Sequence, residues 1–160
     1  MVLKNPQLQK LLVKHAKEIL ALLVQEGISF SILCDISKTH FDPSLPEDIA
    51  KDIDELSLFV LAGYTFESIE FETHCISFEA GFGSQNFGSV VSIEYEGVVQ
   101  ILLQDPQLLQ EVSLFVNVGN SELYNKLESS EEEIEEGLEH SFLALASNPA
   151  NFHLLKDSDE

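Results

Sequence analysis

The chain has 160 residues, enough for one domain and an appendage. It contains 28 acidic residues against 8 lysines and no arginine, which gives a formal net charge of −20. Such acidity argues against binding to nucleic acid, where Lys and Arg neutralise phosphates, and against attachment to an anionic membrane surface. Two cysteines are too few for a disulfide scaffold, and the N-terminus lacks the apolar stretch of a signal peptide, so we expect a soluble, cytoplasmic protein.

A helix is predicted over residues 6–26. Asn5 is a good N-cap, Pro6 suits the first helical position, and Gly27 ends the helix. A largely apolar stripe recurs every three to four positions, at Leu8, Leu11, Leu12, His15, Ile19, Leu22 and Leu23, and the first six of these are the candidate dimer residues. A stripe this full is expected to be buried, either against the chain's own sheet or against a second copy in a homodimer.

Residues 27–118 are predicted to be mainly β. Runs rich in apolar and β-branched residues occur at 28–36, 56–61, 65–72, 75–80, 89–95 and 98–104. The stretch 37–55 is predicted to be irregular, apart from a short helix capped by Ser44, and 107–118 has the spacing of a short helix. Short turns favour antiparallel pairing, so the predicted fold class is α+β, with one helix before a small, partly open antiparallel barrel or sandwich.

The glycine-rich stretch AGFGSQNFGS, residues 80–89, is the most distinctive motif. Gly83 and Gly88 have the spacing of a phosphate-binding loop, but Ser89 stands where that loop has Lys, and no helix is predicted to follow. Glycine in a strand marks a bend, a bulge or a place where another backbone comes close. The motif therefore predicts either a bent strand or a groove for a peptide.

No catalytic or metal-binding constellation is evident. Cys34 and Cys75 have His40 and His74 nearby in sequence, but buried cysteines that act as small apolar residues are more common than nucleophiles. The cysteines and histidines lack zinc spacing, and the carboxylates lack the spacing of a calcium loop. We therefore expect no enzyme activity, no metal and no cofactor; a cysteine hydrolase is the weakest alternative.

The C-terminal segment, 119–160, is strongly acidic. Residues 121–160 contain eleven Asp and Glu, with the densest run at 131–136. Near the end stands a small apolar module with one lysine: Phe152, His153, Leu154, Leu155 and Lys156. We interpret the segment as a self-repelling spacer that carries this module.

The central part of the chain resembles the stringent starvation protein B (SspB) family, the adaptors of the ClpXP protease. The resemblance is carried by ILCD at 32–35, a Pro-containing loop at 42–46, FVLAGYTFESIEFETHCISFEAGFGS at 59–84 and VVSIEYEGVVQIL at 91–103. It covers about residues 7–104, and the block ISFEAGFGS is its most specific part.

The resemblance implies a homodimer formed through the N-terminal helix (1–26), a peptide-binding barrel (27–118) and an acidic tail (119–160). The barrel groove would bind ssrA-like degradation tags, and the tail module, 152–156, would dock on the N-terminal domain of ClpX. The groove residues that the resemblance implies are Phe78, Ala80, Gly81, Phe82, Gly83, Ser84, Gln85 and Phe87. Where family members commonly carry an arginine, this chain has Gly81.

Small size, acidity and mixed structure are equally typical of a second class of protein. An acidic dimeric chaperone of the secretion type wraps one dedicated client and needs no terminal docking module. This alternative stays open from the sequence.

Overall fold

One long helix opens the fold. The structure, a computed structural model, describes residues 2–105, 107 and 110–120. Helix α1 spans Pro6–Gln25, and the Asn5 side chain caps it by accepting hydrogen bonds from the backbone N–H groups of Gln7 and Leu8, at 2.9 and 3.1 Å. The predicted cap is therefore the observed one, and the positive φ of Gly27 turns the chain away after the helix.

Eight strands and two short helices follow α1 among the described residues. The strands are β1 (Phe30–Asp35), β2 (Thr39–Asp42), β3 (Leu56–Leu61), β4 (Glu70–Phe71), β5 (Cys75–Phe82), β6 (Phe87–Glu94), β7 (Val98–Asp105) and β8 (Gln110–Val116). The short helices are α2 (Glu47–Ala50) and α3 (Gly63–Glu67).

The strands form two antiparallel sheets of four. One has the order β3-β1-β7-β8 and the other β2-β6-β5-β4. The predicted fold class is confirmed: an N-terminal helix precedes an open, mainly β arrangement of two antiparallel sheets. Among the described residues, no helix combines the length and apolarity of a membrane span.

The core lies between the sheets and beneath α1. Ala16, Leu20 and Leu23 of the helix are buried in one hydrophobic cluster with residues of both sheets, such as Ile32 of β1 and Ile93 of β6. The helix stripe is thus used for core packing on one side, and what remains of it faces outward.

The predicted helix over 107–118 is wrong, because this segment contains strand β8, which pairs with β7. The ladder shifts between Ile101 and Leu102, so that Phe115 pairs with the first and Ser113 with the second. The extra residue, Leu114, breaks the period of two, and the resulting apolar spacing imitates a helix.

The predicted strand over 65–72 is also wrong in its first half. Gly63 adopts a positive φ and starts α3, and Phe66 then packs edge-on against Phe30 with ring centroids 6.2 Å apart. Only Glu70–Phe71 pairs as a strand.

The stretch 37–55 contains one more strand than predicted. Thr39–Asp42 forms β2, and α2 starts after Pro46 without a side-chain cap, so the expected Ser44 cap is wrong. Strand β2 is a strand only because β6 offers it an edge to pair with.

Candidate functional site

The candidate site lies on the outer face of the β5–β6 hairpin. In the cross-strand register, Glu79 pairs with Val90, and the next outward pair is Gly81 with Gly88. Neither glycine carries a side chain, so the backbone is bare at Gly88, while the side chain of Asn86 lies over Gly81.

A cleft of about 550 Å³ lies over this bare stretch. Strand β2 bounds it on one side, α3 on the other, and the hairpin turn at one end. Its lining consists of Asp42, Pro43, Tyr64, Thr65, Glu79, Ala80, Gly81, Asn86, Gly88, Ser89 and Val90. Two carboxylates therefore line the cleft, and none of these residues is a Lys, Arg or His.

Tyr64 and Glu79 form one wall of the cleft. The Tyr64 hydroxyl donates a hydrogen bond to Oε1 of Glu79 at 3.0 Å, and this bond to a carboxylate raises the pKa of Tyr64. The backbone N–H of Glu79 donates to Oγ of Ser68 at 2.8 Å, which attaches the end of α3 to β5. Tyr64 is 67% exposed, so its ring is accessible to a ligand in the cleft.

Asn86 closes the end of the cleft at the hairpin turn. It has a φ of 53°, and its backbone N–H donates to the carbonyl of Gly83 at 3.1 Å. Its side-chain amide lies over Gly81, where a Cβ would overlap it. Gly88 differs, because a Cβ there meets nothing within 4 Å. A side chain at position 81 would therefore have to displace the exposed Asn86 side chain, whereas Gly88 leaves space open.

Strand β5 has an unpaired stretch beside the cleft. Strand β4 pairs only with Ile76 and Ser77 of β5. Beyond them, the N–H of Glu79 bonds to Ser68, and by alternation the N–H and C=O of Gly81 point to the same side. No backbone bond to Gly81 on that side occurs among the described residues. A free strand edge of this kind is where an extended peptide adds to a sheet.

The structure divides the eight predicted groove residues. Ala80 and Gly81 line the cleft, and Ser84 and Gln85 are exposed in the turn. The others lie elsewhere in the hairpin: Phe78 is 1% exposed and packs on Phe59, Phe82 packs between Phe41 and Phe59, Phe87 is half-buried opposite Phe82, and Gly83 faces Ile49. These aromatic side chains hold the hairpin in place and do not line the cleft.

Several lining residues are not among those predicted. For Glu79 the sequence does contain a signal, because the alternation along β5 places this residue on the solvent-facing side of the strand. Asp42 belongs to the predicted Pro-containing loop, directly before Pro43. Nothing in the sequence points to Tyr64 or Val90, because only the packing of α3 and the strand register bring them to the cleft.

The six helix residues predicted for dimerisation also separate into two groups. Leu12 and Ile19 pack against the core, and Leu8 is half-buried. The other three remain exposed: Leu11 at 47%, Leu22 at 57%, and His15.

The two cysteines are held as neutral thiols. Burial raises the pKa of Cys34 to about 12. Partial burial and a hydrogen bond from Cys75 to the Glu72 carboxylate, at 3.0 Å, raise the pKa of Cys75 to about 11. A thiolate nucleophile needs the opposite shift, so neither environment suits a catalytic cysteine.

The predicted ClpX-docking residues Phe152, His153, Leu154, Leu155 and Lys156 lie outside the described residues. Within the part of the chain that the structure describes, no group of three or more His, Cys, Asp and Glu is placed to hold a metal ion. Comparison with protein-family models, with curated proteins and with solved structures finds no match to this chain.

Proposed function

We propose that this protein is a proteolysis adaptor, which binds degradation-tag peptides of the ssrA type and delivers the tagged proteins to the ClpX unfoldase. The observation that carries the proposal is the cleft over the Gly81–Gly88 pair, beside the unpaired edge of β5. Three of the residues that line this cleft, Glu79, Ala80 and Gly81, belong to the ISFEAGFGS block on which the resemblance to the stringent starvation protein B family chiefly rests.

The cleft suits an extended peptide better than a compact ligand. The open space over Gly88 lets a second backbone approach, and Gly81 offers a backbone N–H and C=O at the adjoining strand edge. The aromatic cluster of Phe41, Phe59 and Phe82 beneath the hairpin keeps its backbone rigid. Affinity would then come from main-chain hydrogen bonds, and specificity from the side chains along the walls.

The outward face of α1 supports the dimeric part of the proposal. Leu11 and Leu22 are large apolar side chains left in water by the described part of the chain, on the face opposite the core. Pairing two such faces would give one particle two clefts and two tail modules, and this raises the effective concentration of cargo at the unfoldase.

Gly88→Gln tests the cleft directly. The substitution places a side chain in open space, so we expect an intact fold, and Gly88 has no positive φ that would strain it. A fluorescein-labelled ssrA-type peptide, matching the tag of the host bacterium, should bind the wild type saturably and bind Gly88→Gln at least about 10-fold more weakly, since about 1.4 kcal/mol is a factor of ten.

Val60→Gln is the matched control, because Val60 is 63% exposed on edge strand β3 of the other sheet. It should bind the peptide like the wild type in the same anisotropy titration. Absence of saturable binding to the wild type would contradict the proposal. Co-purification of one dedicated client without ClpX would instead favour the secretion-type chaperone.

A further inference from the structure

We propose that the peptide held in this cleft carries a Lys or Arg side chain, which lies over Val90 between the carboxylates of Asp42 and Glu79. This inference rests on the proposed function and adds the chemical class of the peptide. It also implies that a tag with an acidic residue at the same position is rejected.

The strand register places the three residues in one row across the outer face. Asp42 pairs with Val90 on one side, and Glu79 pairs with Val90 on the other. Neighbouring strands are about 4.8 Å apart, so each acidic residue is about 5 Å from Val90 and the two are about 10 Å from each other. A cation over Val90 is within reach of both carboxylates.

The described residues leave these two carboxylates without a cation. Glu79 accepts a hydrogen bond from the neutral Tyr64 hydroxyl, which orients it, and within the described chain no hydrogen bond or ion pair engages the Asp42 side chain. Strands β3 to β8 have no Lys or Arg to offer, because none occurs from 52 to 125. Lys38, the lysine nearest to β2 in sequence, pairs with Glu96 at 3.3 Å.

The cleft also suits the rest of a lysine or arginine side chain. Val90 and Pro43 give it an apolar surface, on which an aliphatic stem packs while the charged head stays with the carboxylates. In the adjacent Gly81–Gly88 pair, Gly88 leaves room for the peptide backbone one row further along the strands, beside the Asn86 side chain.

The charge of the cleft attracts basic side chains and also repels acidic ones. An acidic side chain in the same position meets two carboxylates, with no Lys, Arg or His among the described residues that line the cleft, in a protein whose net charge is −20. Repulsion of this kind excludes wrong partners as effectively as attraction selects the right one.

Selection from a phage-displayed library of random decapeptides, against the immobilised full-length protein at about 150 mM salt, tests the inference. We expect Lys or Arg to be enriched at one position. A synthetic selected peptide with Lys at that position should bind about 3- to 10-fold more tightly than its norleucine analogue, because two exposed ion pairs contribute modestly.

In the variant Asp42→Asn/Glu79→Gln, the ratio between the two peptides should fall to about one, since the shape of the site is kept and its charge removed. The control Glu18→Gln/Glu26→Gln removes the same charge from exposed positions of the helix region and should keep the ratio. Enrichment of neutral or acidic residues, or an equal ratio in the Asp42→Asn/Glu79→Gln variant and the wild type, would overturn the inference.

The two proposals fail differently. If the host tag peptide binds saturably but no preference for Lys or Arg appears, the charge inference is refuted and the adaptor function stands. If neither the host tag nor any library peptide binds, both are refuted.

Discussion

At the scale of single residues, the glycines of the β5–β6 hairpin have different tasks. Gly81 lies under the Asn86 amide, whereas Gly88 lies under open space in the cleft. The two members of this cross-strand pair therefore differ: a side chain at position 81 would displace Asn86, whereas position 88 has room for one in the candidate cleft. A sequence pattern cannot separate these tasks, because both glycines read alike.

A double-mutant cycle on Gly81 and Asn86 measures the overlap between these two positions. Gly81→Ala should destabilise the fold by up to about 1 kcal/mol, because its Cβ overlaps the exposed Asn86 side chain, which must rotate away. Asn86→Gly alone should cost little, since glycine accepts the φ of 53°. The double variant should therefore be more stable than the sum of the single effects predicts, as measured by urea unfolding. Additive effects would contradict the overlap.

At the scale of elements, α1 has two apolar sides. Its inner side, with Ala16, Leu20 and Leu23, is fully used by the core. Its outer side keeps Leu11 and Leu22 in contact with solvent in the single chain. The sequence left open whether the apolar stripe of the helix packs in the core or in a dimer. The structure shows which helix residues pack in the core, and it leaves the surface around Leu11 and Leu22 exposed.

Leu11→Lys/Leu22→Lys tests that second surface. Both positions are exposed, so we expect the unfolding free energy of the monomer to change by less than about 0.5 kcal/mol per substitution. The proposed dimer should dissociate, because two like charges would face two more across the two-fold axis. Sedimentation velocity should show a monomer for this variant and a dimer for the wild type.

Val60→Lys provides the control, since it replaces a comparably exposed apolar residue on β3. It should sediment like the wild type. A wild type that is monomeric at tens of micromolar would refute the helix interface.

At the scale of the whole molecule, the net charge of −20 is concentrated in two regions of the chain. The tail region 121–160 contains eleven acidic residues and two lysines, and 61–120 contains eight acidic residues and no lysine. In the proposed adaptor these excesses act separately. The tail links the folded part to the docking module, and the cleft selects the charge of its peptide.

Deletion of residues 150–160 separates the two activities. The cleft is built by residues 42–90, so peptide affinity in the anisotropy titration should be unchanged. Acceleration of ClpXP degradation of a tagged protein at sub-saturating concentration should be lost, because the tether no longer raises the local concentration of cargo. Deleting only 157–160 is the control and should keep it. Equal acceleration by both truncated chains would contradict the tether.

The sequence by itself determined the features that depend on neighbouring residues. The helix and its Asn5 cap, the strands at 75–80, 89–95 and 98–104, and the mainly β fold class follow from local spacing and turn residues. The glycine-rich stretch, which the sequence made the most distinctive motif, lies in the hairpin that carries the candidate cleft.

Only the tertiary structure decided the rest. Strand β8 exists because it pairs with β7 through a bulge, and β2 exists because it pairs with the edge of β6. Helix α3 is fixed by the packing of Phe66 against Phe30 in the core. The cleft depends on register: Asp42, Val90 and Glu79 become neighbours only when three strands pair in one alignment, and a slip of one residue would turn each side chain to the other face. Long-range pairing of this kind carries no local signal, and it sets both the shape and the charge of the site.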